Sequence, residues 1–125
     1  SSNQILLWGS SLGTGFATYT AANRQAAHLV LEAPYHSIEE LGTDQYPIFP
    51  KFIVKYPLKT FEHFPKIKCP ITIFHGTSDN TIPWENSLRL SKLNPSATLV
   101  KLDGVGHNNI PKQAEYQKVV NSVLK

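Results

Sequence analysis

The sequence predicts an α/β fold: a mostly parallel sheet of about four strands with flanking helices. Three observations predict it. Four short apolar runs, "QILLW" (4–8), "HLVLEA" (28–33), "PITIFHG" (70–76) and "ATLVKLDG" (97–104), are each strand-length. The first is continuous rather than alternating, as a strand covered on both faces is. Helical patterns lie between the runs, and strands alternating with helices form right-handed βαβ crossovers.

Taken in order, "QILLW" leads into the glycine-framed turn "WGSSLGTG" (8–15) and a predicted helix over 12–26. The second run is closed by Pro34. Residues 35–65 then break the rhythm with seven aromatics and four prolines. Pro47, Pro50 and Pro57 forbid one long helix, leaving short helical pieces around 38–42 and 51–56. Such an excursion reads either as a cap over a pocket or as a loop-rich cover on one sheet face. Pro70 stands at the entry of the third run, where a missing backbone donor is tolerated. Helices are predicted over 85–93 and 112–124. In the latter, Tyr116, Val119, Val120, Val123 and Leu124 share one face.

The chain has 125 residues, a one-domain length, with 41% hydrophobic and 17% charged residues. A net charge of +3 reads as solvated lysines, with no nucleic-acid partner expected. Lys51, Lys55 and Lys59 recur among Phe52, Tyr56 and Phe61, a basic-aromatic pattern that raises peripheral membrane contact. No apolar run is long enough to span a bilayer and no signal peptide is visible, so a cytoplasmic or peripheral membrane location is expected. The lone Cys69 excludes an internal disulfide and reads as packing. A start at Ser1, the lack of methionine and an apolar strand by residue 5 suggest a processed chain or a piece of something larger.

The turn carries chemistry. Gly9, Ser11 and Gly13 meet the spacing G-x-S-x-G, whereas Ser10 would put Trp8 and Leu12 where small residues are wanted. A serine hydroxyl needs exposure, an adjacent base and a place for the oxyanion. A sharp strand-to-helix turn exposes Ser11, and the flanking glycines are expected to remove side chains that would clash. The Leu12 amide can then point at the developing oxyanion. The Walker pattern and the dinucleotide glycine spacing are both missing.

Five histidines are candidate bases. His28 starts a buried strand, His36 and His63 read as surface residues of the excursion, and His75 reads as strand-end packing. His107, in the glycine-bracketed loop "DGVGHNN" after the last run, is the best base. The orienting carboxylate is Asp79 in "HGTSDNTIP", with Glu32 the rival and Asp103 a weaker third. Serine, acid, histidine is then the chain order. A metal site from His75, Asp79 and His107 matches in residue type, but neither HExxH nor a cysteine pair supports it.

These segments resemble the α/β-hydrolase superfamily. "LLWGSSLGTG" is similar to its nucleophile elbow, "IKCPITIFHGTSDNTIP" to its acid strand and loop, and "LDGVGHNNI" to its histidine loop. "LVLEAPYHSIEEL" is similar to the strand after the elbow helix. The nearest branch is the lysophospholipase-, monoacylglycerol-lipase- and palmitoyl-thioesterase-like serine hydrolases. The resemblance implies Ser11 as nucleophile, Asp79 as acid, His107 as base and the Leu12 amide as one oxyanion donor. The implied activity is cleavage of a small-molecule acyl ester or thioester through an acyl-enzyme, without metal or organic cofactor. Only strands from the elbow onward match, which implies the C-terminal half of such a domain and an exposed edge at "QILLW" able to self-associate. A catalytically incomplete fragment or non-catalytic binding module is the alternative, and a serine peptidase is another.

Overall fold

The computed structural model describes residues 5–37 and 59–124. Strand β1 (Leu6–Ser10) leads through the turn to helix α1 (Gly13–Asn23) and strand β2 (His28–Glu32). The next described elements are α2 (Thr60–His63), which runs into a 3-10 turn (Phe64–Lys66), and β3 (Ile71–Gly76). Helix α3 (Glu85–Ser91), β4 (Ala97–Leu102), a 3-10 turn (Ile110–Lys112) and α4 (Ala114–Val123) complete the order. The strands form one sheet in the order β1-β2-β3-β4, every pair parallel. The α/β architecture read from the sequence is therefore the observed one.

The apolar runs have a direct cause. Successive side chains of a strand point to opposite faces; both faces of β2 and β3 are covered, whereas β1, expected to be covered on both faces, is exposed at Trp8 and Ser10, and β4 at Thr98 and Lys101. Leu29, Leu31, Ile71 and Ile73 pack on one side with Ala21, Phe64, Ile67 and Leu90. Val30, Phe74 and Leu102 pack on the other with Val105, Ile110, Tyr116 and Val120.

Element ends differ from expectation where backbone pairing decides them. β1 runs to Ser10, because Gly9 and Ser10 stand in register with Leu31 and Glu32. Helix α1 stops at Asn23 rather than 26, and the chain turns at once so that the Ala27 amide donates to the Ile5 carbonyl at 2.7 Å. The last helix begins at Ala114, since Pro111 sits in a 3-10 turn ahead of it. Its expected face holds at Tyr116 and Val120, with Val119 and Val123 packed beside them. Leu124, beyond the helix end, is exposed instead. The helical pieces expected at 38–42 and 51–56, Lys51 and Lys55, and most of the 35–65 excursion lie outside the described residues. No helix among the described residues is long and apolar enough to cross a membrane.

Parallel pairing brings the carboxyl ends of the strands to one edge of the sheet, and loops there meet at close quarters. A Cβ on Gly76, the last residue of β3, would lie 2.1 Å from the Val105 carbonyl oxygen. That same carbonyl accepts from the Ser78 amide at 3.0 Å, while the Thr77 amide donates to the Leu102 carbonyl at 3.0 Å. The loop after β4 is thus laid backbone-on-backbone over the end of β3. Gly76→Ala is expected to cost about 2 to 4 kcal/mol in a urea unfolding measurement. Gly106→Ala, whose Cβ would meet only Asn109 Nδ2 at 3.6 Å, should stay within about 0.5 kcal/mol.

Candidate active site

The site grows from the turn after β1. Ser11 has φ of 53°, the left-handed region that a non-glycine residue enters only when its surroundings impose it. Its amide still donates to the Glu32 carbonyl at 2.8 Å, so the strain begins one residue past the last strand pair. Gly9 makes the turn possible, since a Cβ there would meet Ala17 Cβ and the Gly13 carbonyl oxygen, each at 2.8 Å. The clash expected at Gly13 is not found: a Cβ there meets nothing within 4 Å, and helix α1 simply begins at that residue.

Thr14 and Tyr35 hold the turn from below. The Ser11 carbonyl accepts from the Thr14 amide at 3.0 Å and the Thr14 hydroxyl at 2.6 Å. In a trans peptide the C=O and N–H point opposite ways, so fixing the Ser11 carbonyl also fixes the direction of the Leu12 amide. The Leu12 carbonyl accepts from the hydroxyl of Tyr35 at 3.2 Å. Burial pushes the Tyr35 phenol up, against an opposing hydrogen bond from the Gly15 amide, so it stays a neutral donor. Tyr35 reaches this place because Ala33, with φ of 53°, bends the chain as β2 ends.

From Ser11 a hydrogen-bonded chain runs inward. Ser11 Oγ lies 3.0 Å from His107 Nε2, and His107 Nδ1 lies 2.7 Å from Asp79 Oδ2. Asp79 Oδ1 accepts from the amides of Thr81 and Ile82, each at 2.8 Å. The Asp79 side chain is fully buried and that of His107 is 16% exposed. Burial opposes ionisation of Asp79. Hydrogen bonds from His107, His75 and the Ile82 amide, with the His107 charge, outweigh it and hold the carboxyl well below the usual carboxylate range. A carboxylate on Nδ1 orients the imidazole so that Nε2 faces the serine. That arrangement can draw a proton from a hydroxyl.

The structure thus brings together Ser11, His107 and Asp79, with the Leu12 amide beside them. The other candidates lie elsewhere. Glu32 is buried on the opposite side, where one oxygen accepts from Trp8 Nε1 and the Tyr116 hydroxyl, each at 2.6 Å. Asp103 is exposed, 4.0 Å from Lys101. His28 approaches Thr72 Oγ1 at 2.8 Å. His36, expected at the surface, is instead buried and stacked on Phe61 with ring centroids 4.6 Å apart. His63 meets the edge of Tyr19. Among the described residues no group of three histidine, cysteine or acidic side chains is arranged to hold a metal ion. Thr14 and Tyr35 were missed; a hydroxyl three residues after the serine was the only trace of the first.

Known proteins are similar to the chain in sequence and in fold. A putative α/β hydrolase of Acanthamoeba polyphaga mimivirus is 33% identical over 92% of the chain, which covers 43% of that protein. The α/β-hydrolase domain-containing protein aho-3 of Caenorhabditis elegans is 28% identical over 97% of the chain, covering 36% of its own length. Among solved structures, an α/β hydrolase from a Mar Chica lagoon sediment metagenome superposes with a TM-score of 0.74 at 21% identity, over 97% of this chain and 61% of that one. The chain is similar to α/β hydrolases in sequence and has part of their fold. Four parallel strands with their helices make it a partial version of that fold, and the chain spans about two fifths of the length of these curated relatives. No family model matches it.

The buried carboxylate makes stability depend on pH. Asp79 is ionised more readily folded than unfolded, so its contribution is fully present above the unfolded value of about 3.9. It is lost as pH falls below about 4 toward the lower folded value. Stability from pH 5 down to pH 2 should therefore fall more steeply in the parent than in Asp79→Asn, measured by urea midpoints at each pH.

Proposed function

We propose that the protein is a serine hydrolase that cleaves carboxylic ester or thioester bonds of small acyl substrates through an acyl-enzyme. The observation that carries this reading is the unbroken contact from Ser11 Oγ through His107 to buried Asp79. Ser11 Oγ attacks the acyl carbon as His107 Nε2 takes its proton. The tetrahedral oxyanion forms beside the Leu12 amide, at the N-terminal end of α1, where the helix dipole favours negative charge. His107 then delivers the proton to the leaving oxygen or sulfur. In the second half a water loses a proton to His107 and attacks the acyl-enzyme, and the proton returns to Ser11 Oγ as the acid leaves. No step calls for a metal or organic cofactor. Esterases among proteins of the same fold support this class. A peptidase would use the same groups, so acyl esters, thioesters and anilides should be compared directly.

A fluorophosphonate probe read by intact mass tests the reading. One adduct is expected on the parent and on Ser10→Ala, and none on Ser11→Ala. Adducts that persist on Ser11→Ala would sink the assignment.

A second reading rests on β1. Among the described residues it pairs only with β2, and Ile5 and Trp8 are 40% and 37% exposed. An apolar strand open on one side is a template for pairing, as expected of a binding module. Light scattering should then give a dimer or larger species, and a monomer at tens of micromolar would count against it.

A further inference from the structure

We propose that His75 is a positioning residue for the acid, a second imidazole that shares Asp79 with His107 and restrains how strongly the carboxylate can draw on the base. The proposal rests on the assignment of Ser11, His107 and Asp79 as the reacting groups. His75 stands next to last in β3 with its side chain fully buried. Its Nε2 lies 2.7 Å from the Ile82 carbonyl oxygen and 3.3 Å from Asp79 Oδ2. A carbonyl only accepts, so Nε2 carries the proton. With His75 neutral, Nδ1 is bare and accepts the hydroxyl proton of Ser87, which lies 2.5 Å away on α3.

These contacts close a ring. The Ile82 amide donates to Asp79 Oδ1, the Ile82 carbonyl accepts from His75, and His75 lies against the other carboxylate oxygen. His75 therefore does two things. It fixes the loop segment whose amides seat Asp79, and it places a partly positive N–H beside the same oxygen that His107 uses. The Ser87 hydroxyl, by polarising the ring, makes that N–H a better donor. The titratable groups facing Asp79 among the described residues are His75 from β3 and His107 from the loop after β4; α3 contributes the neutral Ser87. Removing the His75 donor leaves more charge on Oδ2, and the imidazolium form of His107 gains.

The measurement is the titration of the His107 imidazole, followed by NMR on histidine-labelled protein in the parent, His75→Gln and His75→Asn. Glutamine carries its amide nitrogen out to the Nε2 position, whereas asparagine reaches only the Nδ1 position. The His107 pKa is expected to stay at the parent value in His75→Gln and to rise by about half a pKa unit in His75→Asn. Equal values in the two variants, or no rise in His75→Asn, would overturn the proposal. If His75→Asn does not fold, Ser87→Ala decides, with a smaller rise expected and no rise overturning it. Probe labelling of the parent is scored separately. A shifted His107 titration without labelling would leave the His75 role standing and remove the hydrolase reading, and labelling without the shift would do the reverse.

Discussion

The site depends first on how closely the backbone at Val105 can approach the end of β3. With no Cβ on Gly76, the Val105 carbonyl comes near enough to accept the Ser78 amide, and the loops after β3 and β4 become one surface. Asp79 leaves the first loop and His107 the second, and only this docking lets them bond. Gly9 plays the equivalent part on the other side, letting α1 pass beneath the turn that lifts Ser11. Between these two close approaches the parallel ladder does the alignment. Ser10 stands beside Glu32, Glu32 beside Phe74, and Gly76 beside Leu102, so strand ends far apart in sequence finish level. Ser11 and His107, 96 positions apart, meet because of it.

Two buried carboxylates show how placement separates roles. Glu32 gives one oxygen to Trp8 and Tyr116, which ties β1, β2 and α4 together on the side away from Ser11. Tyr116 is held neutral by burial and then by the Glu32 hydrogen bond and charge, which keeps it a donor. Asp79 has both oxygens occupied, one by two backbone amides and the other by imidazole nitrogens. Backbone amides cannot move a proton, so their bonds fix the carboxylate without competing for one. The imidazole of His107 can carry a proton, and its Nε2 faces an accessible hydroxyl. The same side-chain chemistry is a cross-brace in one place and, in the other, the inner end of a contact that runs through an imidazole to a hydroxyl.

β2 and β3 were legible because each is apolar on both faces, and the order of serine, acid and histidine was legible because each sits just past a strand. Ser11 over Ser10 was legible from Gly9, whose close contacts give the frame a steric meaning. Gly13 gave the right frame for a reason the structure does not bear out, since spacing alone cannot say which glycine is crowded. Glu32 against Asp79 needed three dimensions: both follow strands, and only the partners across the sheet tell them apart. His36 read as a surface residue because it stands in the proline-broken excursion, yet Phe61, 25 positions on, covers its ring. Tyr35 and Thr14 were silent because their work is done on backbone carbonyls, which carry no residue signature.

Activation of a nucleophile and stabilisation of an oxyanion are separable tasks, and the described residues bear on them unequally. The first needs a hydroxyl, an imidazole and a carboxylate in line, and β1, β3 and β4 bring all three with their supports. The second needs donors aimed at a point in space. Here the Leu12 amide is aimed by its own peptide: two donors from Thr14 pull the Ser11 carbonyl down toward α1, and the N–H must face the other way. One well-aimed donor is worth about 3 to 4 kcal/mol in sites of this kind. A chain that covers about two fifths of its relatives thus holds the hydroxyl, the imidazole and the carboxylate together. Ser11 is held by its amide on the Glu32 carbonyl and His75 by its place in β3, whereas Thr81 and Ile82 are fixed through the side chains of Asp79 and His75.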